Sequence, residues 1–232
     1  YLKGYDVAVV DCDYPQHLTF ALLLELCLHV GEHSRLVMDG DWTRAKDFSF
    51  WSTPLVELAG KTMGIVGMGS IGQAVGRIAR AFGMPVVFEN RSPKPQLEGD
   101  GVRQAGLDEL LATADVVSLH VPATPETEHM MDAAALAKMK DGSYLLNTAR
   151  GSLVDEQAVV DALRSGKLAG FAADVVSVEP MQPDNPLLQA KGQNIIVTPH
   201  IAWATHEARE RLLATVTANV GAFVEGAPQN VV

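Results

Sequence analysis

The chain has 232 residues, a length that suits one large domain or one domain with part of another. A hydrophobic content of 47% against 20% charged residues supplies enough apolar material for a packed core. The formal net charge of -10 argues against a nucleic-acid-binding surface and against binding to anionic lipid, because both partners are themselves negatively charged.

Cysteine usage and the apolar segments bear on the compartment. Cys12 and Cys27 lie in no CxxC pattern and in no evident metal-ligand set, which favours a reducing compartment or simple burial. The longest apolar stretch, residues 18–30, contains Glu25 and is too short to cross a bilayer. No signal peptide is recognisable. These features predict a cytoplasmic protein with no metal, no nucleic-acid partner and no membrane partner.

The order of apolar segments predicts the fold. After a strand-like segment at residues 7–13, residues 16–38 predict one long, largely buried helix, and residues 39–54 a polar loop with four aromatics. From Lys61 onward, short apolar strands alternate with helices, which is typical of an α/β doubly wound parallel sheet of the Rossmann type. The predicted strands cover residues 62–67, 84–89, 115–121, 143–149, 169–176 and 194–199, and the predicted helices cover 70–82, 106–114, 131–139 and 155–166, the last ended by Gly166.

A glycine turn joins the first of these strands to its helix. Gly67, Gly69 and Gly72 form a GxGxxG pattern that follows a strand and opens a helix, which is the context that a dinucleotide site requires. The first glycine permits the tight turn, the second lets a pyrophosphate approach the backbone, and the third lets helix and strand pack closely. The alternative is a glycine-rich turn with a structural role only.

The end of the second strand predicts which dinucleotide binds. If Asn90 occupies the ribose-binding position, Arg91 and Ser92 are well placed for the 2′-phosphate of NADP; if Glu89 occupies it, the carboxylate suits the 2′-hydroxyl of NAD. Lys94 adds a cation nearby. We prefer Asn90 and NADP, because a carboxylate would repel a doubly charged phosphate in a partly desolvated site.

Charged residues follow three later strands, at the edge of the sheet where ligands bind. Arg150 follows one strand, Asp174 ends another with Glu179 just beyond it, and His200 follows the last. Taken singly, these residues could be a surface arginine, turn-forming acids and a core histidine. Together they suit hydride transfer to a 2-keto acid: the arginine holds the carboxylate and polarises the carbonyl, and the histidine donates a proton. The glutamate orients the histidine and raises its pKa.

Five stretches carry a resemblance to a known family, and they are ELAGKTMGIVGMGSIGQAVGRIARAFGM, ADVVSLHVPATPETEHMMD, LLNTARGSLVDEQAV, GFAADVVSVEP and TPHIAWAT. In this order and spacing, the chain resembles the D-isomer-specific 2-hydroxyacid dehydrogenase family. The PHIAWAT segment followed by PQNVV is most similar to the branch of glyoxylate and hydroxypyruvate reductases and glycerate dehydrogenases.

The resemblance implies a domain organisation. Residues 15–204 are expected to form the dinucleotide-binding Rossmann domain, with residues 16–54 as a dimer arm. Residues 1–14 and 205–232 are expected to be the remnant of a flavodoxin-like substrate domain that lacks most of its N-terminal part. A homodimer contact is expected at the aromatics of the arm, and the alternative is a loop packed on its own subunit. These aromatics are Trp42, Phe48, Phe50 and Trp51.

The resemblance also implies the roles of individual residues. Arg150, Glu179 and His200 are the expected catalytic set, with Trp203 over a small substrate pocket and Trp51 of the partner subunit reaching it. His120 is expected to line the cofactor cleft rather than donate a proton, and Met131 is expected in the core. Beside the three glycines, the expected cofactor contacts are Ser70, Ile71, Asn90, Arg91, Ser92, His120, Val121, Pro122, Thr127, Thr148, Ala149, Asp174, His200 and Ala202.

These observations predict an oxidoreductase that uses NADP, with NAD as the other possibility, to reduce glyoxylate or hydroxypyruvate to the D-2-hydroxy acid. Two alternatives stay open at this stage. One is an NAD-dependent D-lactate-type reductase of 2-keto acids, and the other is a dinucleotide-sensing binding protein like the corepressors that share this fold.

Overall fold

The computed structural model describes residues 15–230, and the chain divides into two compact units. The larger unit, Gln16–Pro199, contains the whole sheet, and the smaller unit contains the described residues from His200 onward. The strand-like segment predicted at residues 7–13 and the predicted remnant at residues 1–14 lie outside the described residues.

A seven-stranded parallel sheet forms the centre of the larger unit, which confirms the predicted doubly wound fold. The strand order is β3-β2-β1-β4-β5-β6-β7. The strands are β1 (Met63–Val66), β2 (Val86–Glu89), β3 (Val102–Gln104), β4 (Val116–Leu119), β5 (Ser143–Asn147), β6 (Leu168–Ala173) and β7 (Ile195–Val197). The sequence pattern did not predict β3, because it is a three-residue edge strand without a buried side chain.

Helices follow most of the strands. They are α1 (Gln16–Leu28), α2 (Val30–Met38), α3 (Asp41–Arg44), α4 (Ser70–Ala81), α5 (Leu107–Thr113), α6 (Ala133–Lys138), α7 (Glu156–Ser165) and, in the smaller unit, α8 (His206–Val224). Asp155 caps the start of α7, and Gly166 ends it in the left-handed conformation, as predicted. Thr205 caps α8 by accepting a hydrogen bond from the Ala208 N–H.

The prediction of a single helix over residues 16–38 was wrong. His29 adopts a φ of 47° and separates α1 from α2, and α2 contains no buried residue. The Glu25 carboxylate accepts hydrogen bonds from the Gly31 N–H at 3.1 and 3.3 Å, so a side chain of α1 satisfies the start of α2. The apolar run that suggested one helix ends where the second, polar helix begins.

Apolar side chains alternate between the two faces of the sheet, as the period of a strand requires. In β2, Val86 and Phe88 pack with α1 and α4, whereas Val87 joins the core on the opposite face. Met131 is fully buried in that second core, as predicted. The same alternation predicts that Glu89, the last residue of β2, and Asn90, which follows it, lie on opposite faces of the sheet.

Residues 15–230 contain neither a membrane-spanning helix nor a cluster of metal-ligating side chains. No helix in this range has both the length and the apolar character needed to span a bilayer. The same range contains no group of three or more His, Cys, Asp or Glu side chains that could hold a metal ion.

Candidate active site at the carboxyl edge of the sheet

The glycine turn between β1 and α4 contains two kinds of glycine. A Cβ on Gly67 would meet the carbonyl oxygen of His120 at 2.5 Å, and a Cβ on Gly72 would meet the carbonyl oxygen of Gly67 at 2.2 Å. These two glycines therefore allow close packing within the protein. Gly69 is different, because no protein atom other than those of its neighbours along the chain lies within 4 Å of the position of its Cβ. The space beside Gly69 is open on the side from which a ligand can approach.

The N-terminus of α4 provides donors at the same place. Gly69 is its N-cap and makes no side-chain capping hydrogen bond, so the first N–H groups of the helix lack the usual side-chain acceptor. Free N–H groups and the helix dipole favour a phosphate. Ser70 and Ile71, both predicted cofactor contacts, are the first residues of this helix. The open space and the uncapped helix fit the pyrophosphate of a dinucleotide.

Asn90 lies beside this turn. Its Oδ1 accepts a hydrogen bond from the Met68 N–H at 3.2 Å, and its Nδ2 donates to the Ser92 carbonyl at 3.0 Å. Successive strand residues point to opposite faces, so Asn90 follows Phe88 on the α4 face and Glu89 follows Val87 on the other. Burial raises the pKa of the Glu89 carboxyl above its usual value.

Arg91 and Ser92, the predicted phosphate-binding pair, are both exposed. Arg91 acts electrostatically on the loop that follows β4. The pKa of the Glu126 carboxyl in that loop is lowered, first by a hydrogen bond from Thr124 and to a smaller extent by the charge of Arg91. The guanidinium of Arg91 is therefore within electrostatic reach of the β4 loop.

The loop after β4 contains four of the predicted cofactor contacts. Val121 is half-buried and Pro122 is exposed. The Thr127 hydroxyl donates to the Pro122 carbonyl at 2.7 Å and accepts from the Thr124 N–H at 2.8 Å. Thr127 thus closes the turn that shapes the loop. His120 begins the loop, and its N–H donates to the Val66 carbonyl at 2.7 Å.

The His120 imidazole is neutral at pH 7. Burial lowers its pKa to about 4, and its Nε2 lies 2.8 Å from the buried hydroxyl of Ser118. A neutral ring beside the glycine turn suits a lining residue better than a proton donor.

The loop after β5 contains Thr148, Ala149 and Arg150. Asn147, the last residue of β5, is buried; its Nδ2 donates to the Arg150 carbonyl at 2.9 Å and its Oδ1 accepts from the Ala149 N–H at 3.1 Å. Sequence reasoning overlooked Asn147, although a polar residue at the end of an apolar strand was a usable signal. The exposed Arg150 guanidinium donates to the Ala149 carbonyl at 2.7 Å. Thr148 Oγ1 lies 3.0 Å from Thr19 Oγ1 of α1.

The loop after β6 is packed directly against this turn. A Cβ on Gly151 would meet the carbonyl carbon and oxygen of Val176 at 2.0 Å, so only glycine permits this approach. Glu179 lies three residues beyond, and its Oε1 accepts from the Val176 N–H at 3.1 Å. The buried Asp174 carboxylate accepts from the Thr198 hydroxyl at 2.6 Å. The structure thus brings together the backbone segments that carry Arg150 and Glu179.

Glu156, at the start of α7, organises the loop that carries Glu179. This buried carboxylate accepts three hydrogen bonds of 2.8 Å, from the Ser177 N–H, the Ser177 hydroxyl and the Asn185 amide. Sequence reasoning did not single out Glu156, because its partners lie 21 and 29 residues away along the chain.

The remaining predicted residues are exposed or belong to the smaller unit. His200, Ala202 and Trp203 lie in that unit, where His200 is exposed with a φ of 54° and Trp203 is 41% exposed. The predicted catalytic set is thus divided between the units, and its joint geometry stays a prediction. Trp51, in the larger unit, is 67% exposed. Trp42 and Phe48 are exposed as well, so the arm aromatics are not packed into the core.

Comparison with known proteins places the chain in a family. Residues 20–202 match the model of the D-isomer specific 2-hydroxyacid dehydrogenase, NAD binding domain. The chain is 51% identical over 212 residues to a hydroxypyruvate reductase of Blautia hydrogenotrophica, covering 91% of this chain and 65% of that protein. It is 41% identical over 218 residues to a glycerate dehydrogenase of Methylorubrum extorquens, covering 94% and 67%.

A solved structure agrees with this match. The TT0316 protein of Thermus thermophilus superposes with a TM-score of 0.84 and 42% identity, over 98% of this chain and 70% of that one. The chain spans about two thirds of the length of the two curated relatives. With the family model covering most of its length and the glycine turn at the expected edge of the sheet, the chain belongs to the D-isomer specific 2-hydroxyacid dehydrogenase family and contains its nicotinamide-dinucleotide-binding domain.

Proposed function

We propose that the protein is an NADPH-dependent reductase that converts glyoxylate or hydroxypyruvate to the corresponding D-2-hydroxy acid. The observation that carries the proposal is the packing of Gly151 against the Val176 carbonyl, at the carboxyl edge of the sheet that also holds the glycine turn. This contact fixes the backbone beside Arg150 and the loop of Glu179 on adjacent strands. The names of the hydroxypyruvate reductase and glycerate dehydrogenase relatives support the substrate class.

Each catalytic residue has a proposed task. Bound NADPH supplies the hydride for the carbonyl carbon of the substrate. The Arg150 guanidinium binds the substrate carboxylate and polarises the carbonyl, in a planar geometry that a lysine cannot match. His200 donates a proton to the oxygen that becomes the hydroxyl, and Glu179 orients the imidazole. The balance is one 2-keto acid, one NADPH and one proton consumed for one hydroxy acid and one NADP⁺ formed.

The preference for NADP rests on the position of Asn90. Its bond to the Met68 N–H keeps a neutral side chain beside the glycine turn, and Glu89 belongs by strand alternation to the opposite face. A neutral residue followed by an arginine accommodates a 2′-phosphate. Arg91 and Ser92 supply a charge and a hydroxyl on exposed positions beside it.

Two further parts of the proposal concern assembly and compartment. The exposed aromatics of the arm, with Phe48 91% and Trp51 67% exposed, suit the contact surface of a homodimer. The buried free thiol of Cys27, whose pKa burial raises to about 11, suits a structural cysteine in the reducing cytoplasm. Nothing among the relatives described above supports a corepressor-like role.

The activity is tested by following NADPH oxidation with hydroxypyruvate, glyoxylate and pyruvate in turn. Arg150→Lys is the informative variant, because it keeps the charge and removes the planar fork. We expect kcat/KM for hydroxypyruvate to fall by about 100-fold or more, with NADPH binding unchanged. The matched control is Arg164→Lys, whose guanidinium donates to the Gln189 carbonyl away from the site. Equal activity of wild type and Arg150→Lys would contradict the proposed role.

A further inference from the structure

Gln104 is the last residue of β3 and lies opposite Phe88 of β2. Its side chain makes three hydrogen bonds to the backbone of the segment after β2. Nε2 donates to the Asn90 carbonyl at 3.2 Å and to the Ser92 carbonyl at 3.3 Å, and Oε1 accepts from the Lys94 N–H at 2.8 Å. One amide therefore contacts three alternate residues of the same loop.

Residues 90–94 belong to no helix or strand, so this loop lacks the regular hydrogen bonds that would define its shape. The side chain of Gln104 bonds only backbone atoms of the loop, so it does not occupy the side chains of Arg91 and Ser92. These hydrogen bonds fix alternate positions of the loop, and the two residues between them include Arg91, which is exposed. An uncharged amide does this without placing a negative charge next to the loop, whereas a carboxylate would oppose an incoming phosphate.

We propose that Gln104 is a positioning residue for cofactor specificity. It holds residues 90–94 in the shape that presents Arg91 and Ser92 to the 2′-phosphate of NADP. The inference rests on the proposed NADP preference and extends it to a residue of the neighbouring strand. The adenosine ribose of NAD lacks the 2′-phosphate, so binding of NAD should depend less than binding of NADP on how this loop presents Arg91 and Ser92.

The test uses the full chain and measures binding, which does not require turnover. Dissociation constants for NADP⁺ and NAD⁺ are determined by isothermal titration calorimetry for wild type and Gln104→Leu, together with Tm. We expect Kd for NADP⁺ to rise by about tenfold and Kd for NAD⁺ to change less than about threefold. The matched control is Gln157→Leu, which removes one surface hydrogen bond to Asp161 on α7 and should change neither constant.

A double-mutant cycle separates positioning from mere stability. If Gln104 acts through Arg91, then Gln104→Leu should weaken NADP⁺ binding in the wild-type background and have no further effect in an Arg91→Ala background. Additive losses would overturn the proposal. A parallel loss of NADP⁺ and NAD⁺ binding, or a lower Tm with an unchanged ratio of the two constants, would overturn it as well.

The failure of the proposed cofactor is distinguishable from the failure of this inference. If wild type binds NAD⁺ more tightly than NADP⁺, the proposed preference is wrong before any variant is made, and the inference falls with it. If wild type prefers NADP⁺ and Arg91→Ala abolishes the preference while Gln104→Leu leaves it intact, only the role of Gln104 is overturned.

Discussion

The side-chain oxygen of Asn90 accepts a hydrogen bond from the backbone N–H of Met68, within the glycine turn, at 3.2 Å. This contact joins the end of β2 to the loop that fits the pyrophosphate. It holds a neutral side chain beside the glycine turn, at the position proposed to read the ribose of the dinucleotide. The charge at this one position is expected to decide between the two nicotinamide cofactors.

Asn90→Asp tests that expectation with a side chain of almost the same shape, which loses only the hydrogen bond that Asn90 Nδ2 donates to the Ser92 carbonyl. The aspartate still accepts from Met68, but its charge repels the 2′-phosphate and suits a 2′-hydroxyl. We expect the preference for NADP⁺ over NAD⁺ to fall by about 100-fold, measured as the ratio of dissociation constants. The control is Glu89→Gln, on the opposite face of the strand, which should leave the ratio unchanged. A large effect of Glu89→Gln would instead favour the other register.

Gly69→Ala separates cofactor binding from folding. Apart from its neighbours along the chain, the added methyl meets no protein atom within 4 Å, so the free energy of unfolding should fall by no more than an ordinary N-cap substitution costs, about 1 kcal/mol or less. The methyl does enter the space that fits the pyrophosphate, and Kd for NADP⁺ should rise about tenfold or more.

Gly106→Ala is its matched control. Gly106 is the N-cap of α5, also with open space around its Cβ position, and the variant should bind NADP⁺ as wild type does. Equal binding by both variants would contradict the assignment of the glycine turn.

Glu156→Gln tests the support of the Glu179 loop. The glutamine retains one acceptor, loses the other and leaves a donor facing the Asn185 amide. We expect the free energy of unfolding to fall by about 1–3 kcal/mol, measured by urea denaturation. A surface control is Glu109→Gln, which pairs with Arg103 and should change stability by less than about 1 kcal/mol. An unchanged stability of Glu156→Gln would show that the three hydrogen bonds contribute nothing net.

The titration of His120 predicts a pH dependence of stability. Its folded pKa is about 4, below the ordinary value of 6.5, so between these values the unfolded chain binds more protons than the folded one. The contribution of neutral His120 to the free energy of unfolding is complete above about pH 6.5. It is lost as the pH falls towards 4, and the loss amounts to up to about 3 kcal/mol. Urea denaturation at about pH 7 and pH 4.5 should show a smaller loss for His120→Gln than for wild type. Equal losses of stability in the two proteins would show that the titration of His120 does not cause the pH dependence.

The sequence pattern predicted the sheet well where strands are buried on both faces, because such runs are continuously apolar, as in β1 and β4. It missed β3, whose three residues have no buried side chain, and it missed the break at His29, where an apolar run continues into a polar helix. The strand β3 depends on its position at the edge of the sheet, and the break depends on the left-handed conformation of His29. Neither feature has a signal in the spacing of apolar residues.

The residues of the candidate site also differ in how far the sequence predicts them. The glycine turn and Asn90 follow from local motifs at a strand end, and sequence reasoning could name them. Glu156 and Gln104 act through hydrogen bonds to other loops, with partners that only the folded chain brings near. Asn147 bonds the turn that directly follows it, so its position at a strand end was a usable signal. Glu156 and Gln104 carry no local motif, because a Glu or Gln that supports a distant loop is defined by its contacts and not by its neighbours in sequence.

The most direct test of the account is the initial rate of cofactor oxidation with hydroxypyruvate, compared for NADPH and NADH under the same conditions. We expect oxidation of the cofactor that depends on hydroxypyruvate, with a kcat/KM at least about tenfold higher with NADPH than with NADH. A higher kcat/KM with NADH, or cofactor binding without any substrate-dependent oxidation, would contradict it.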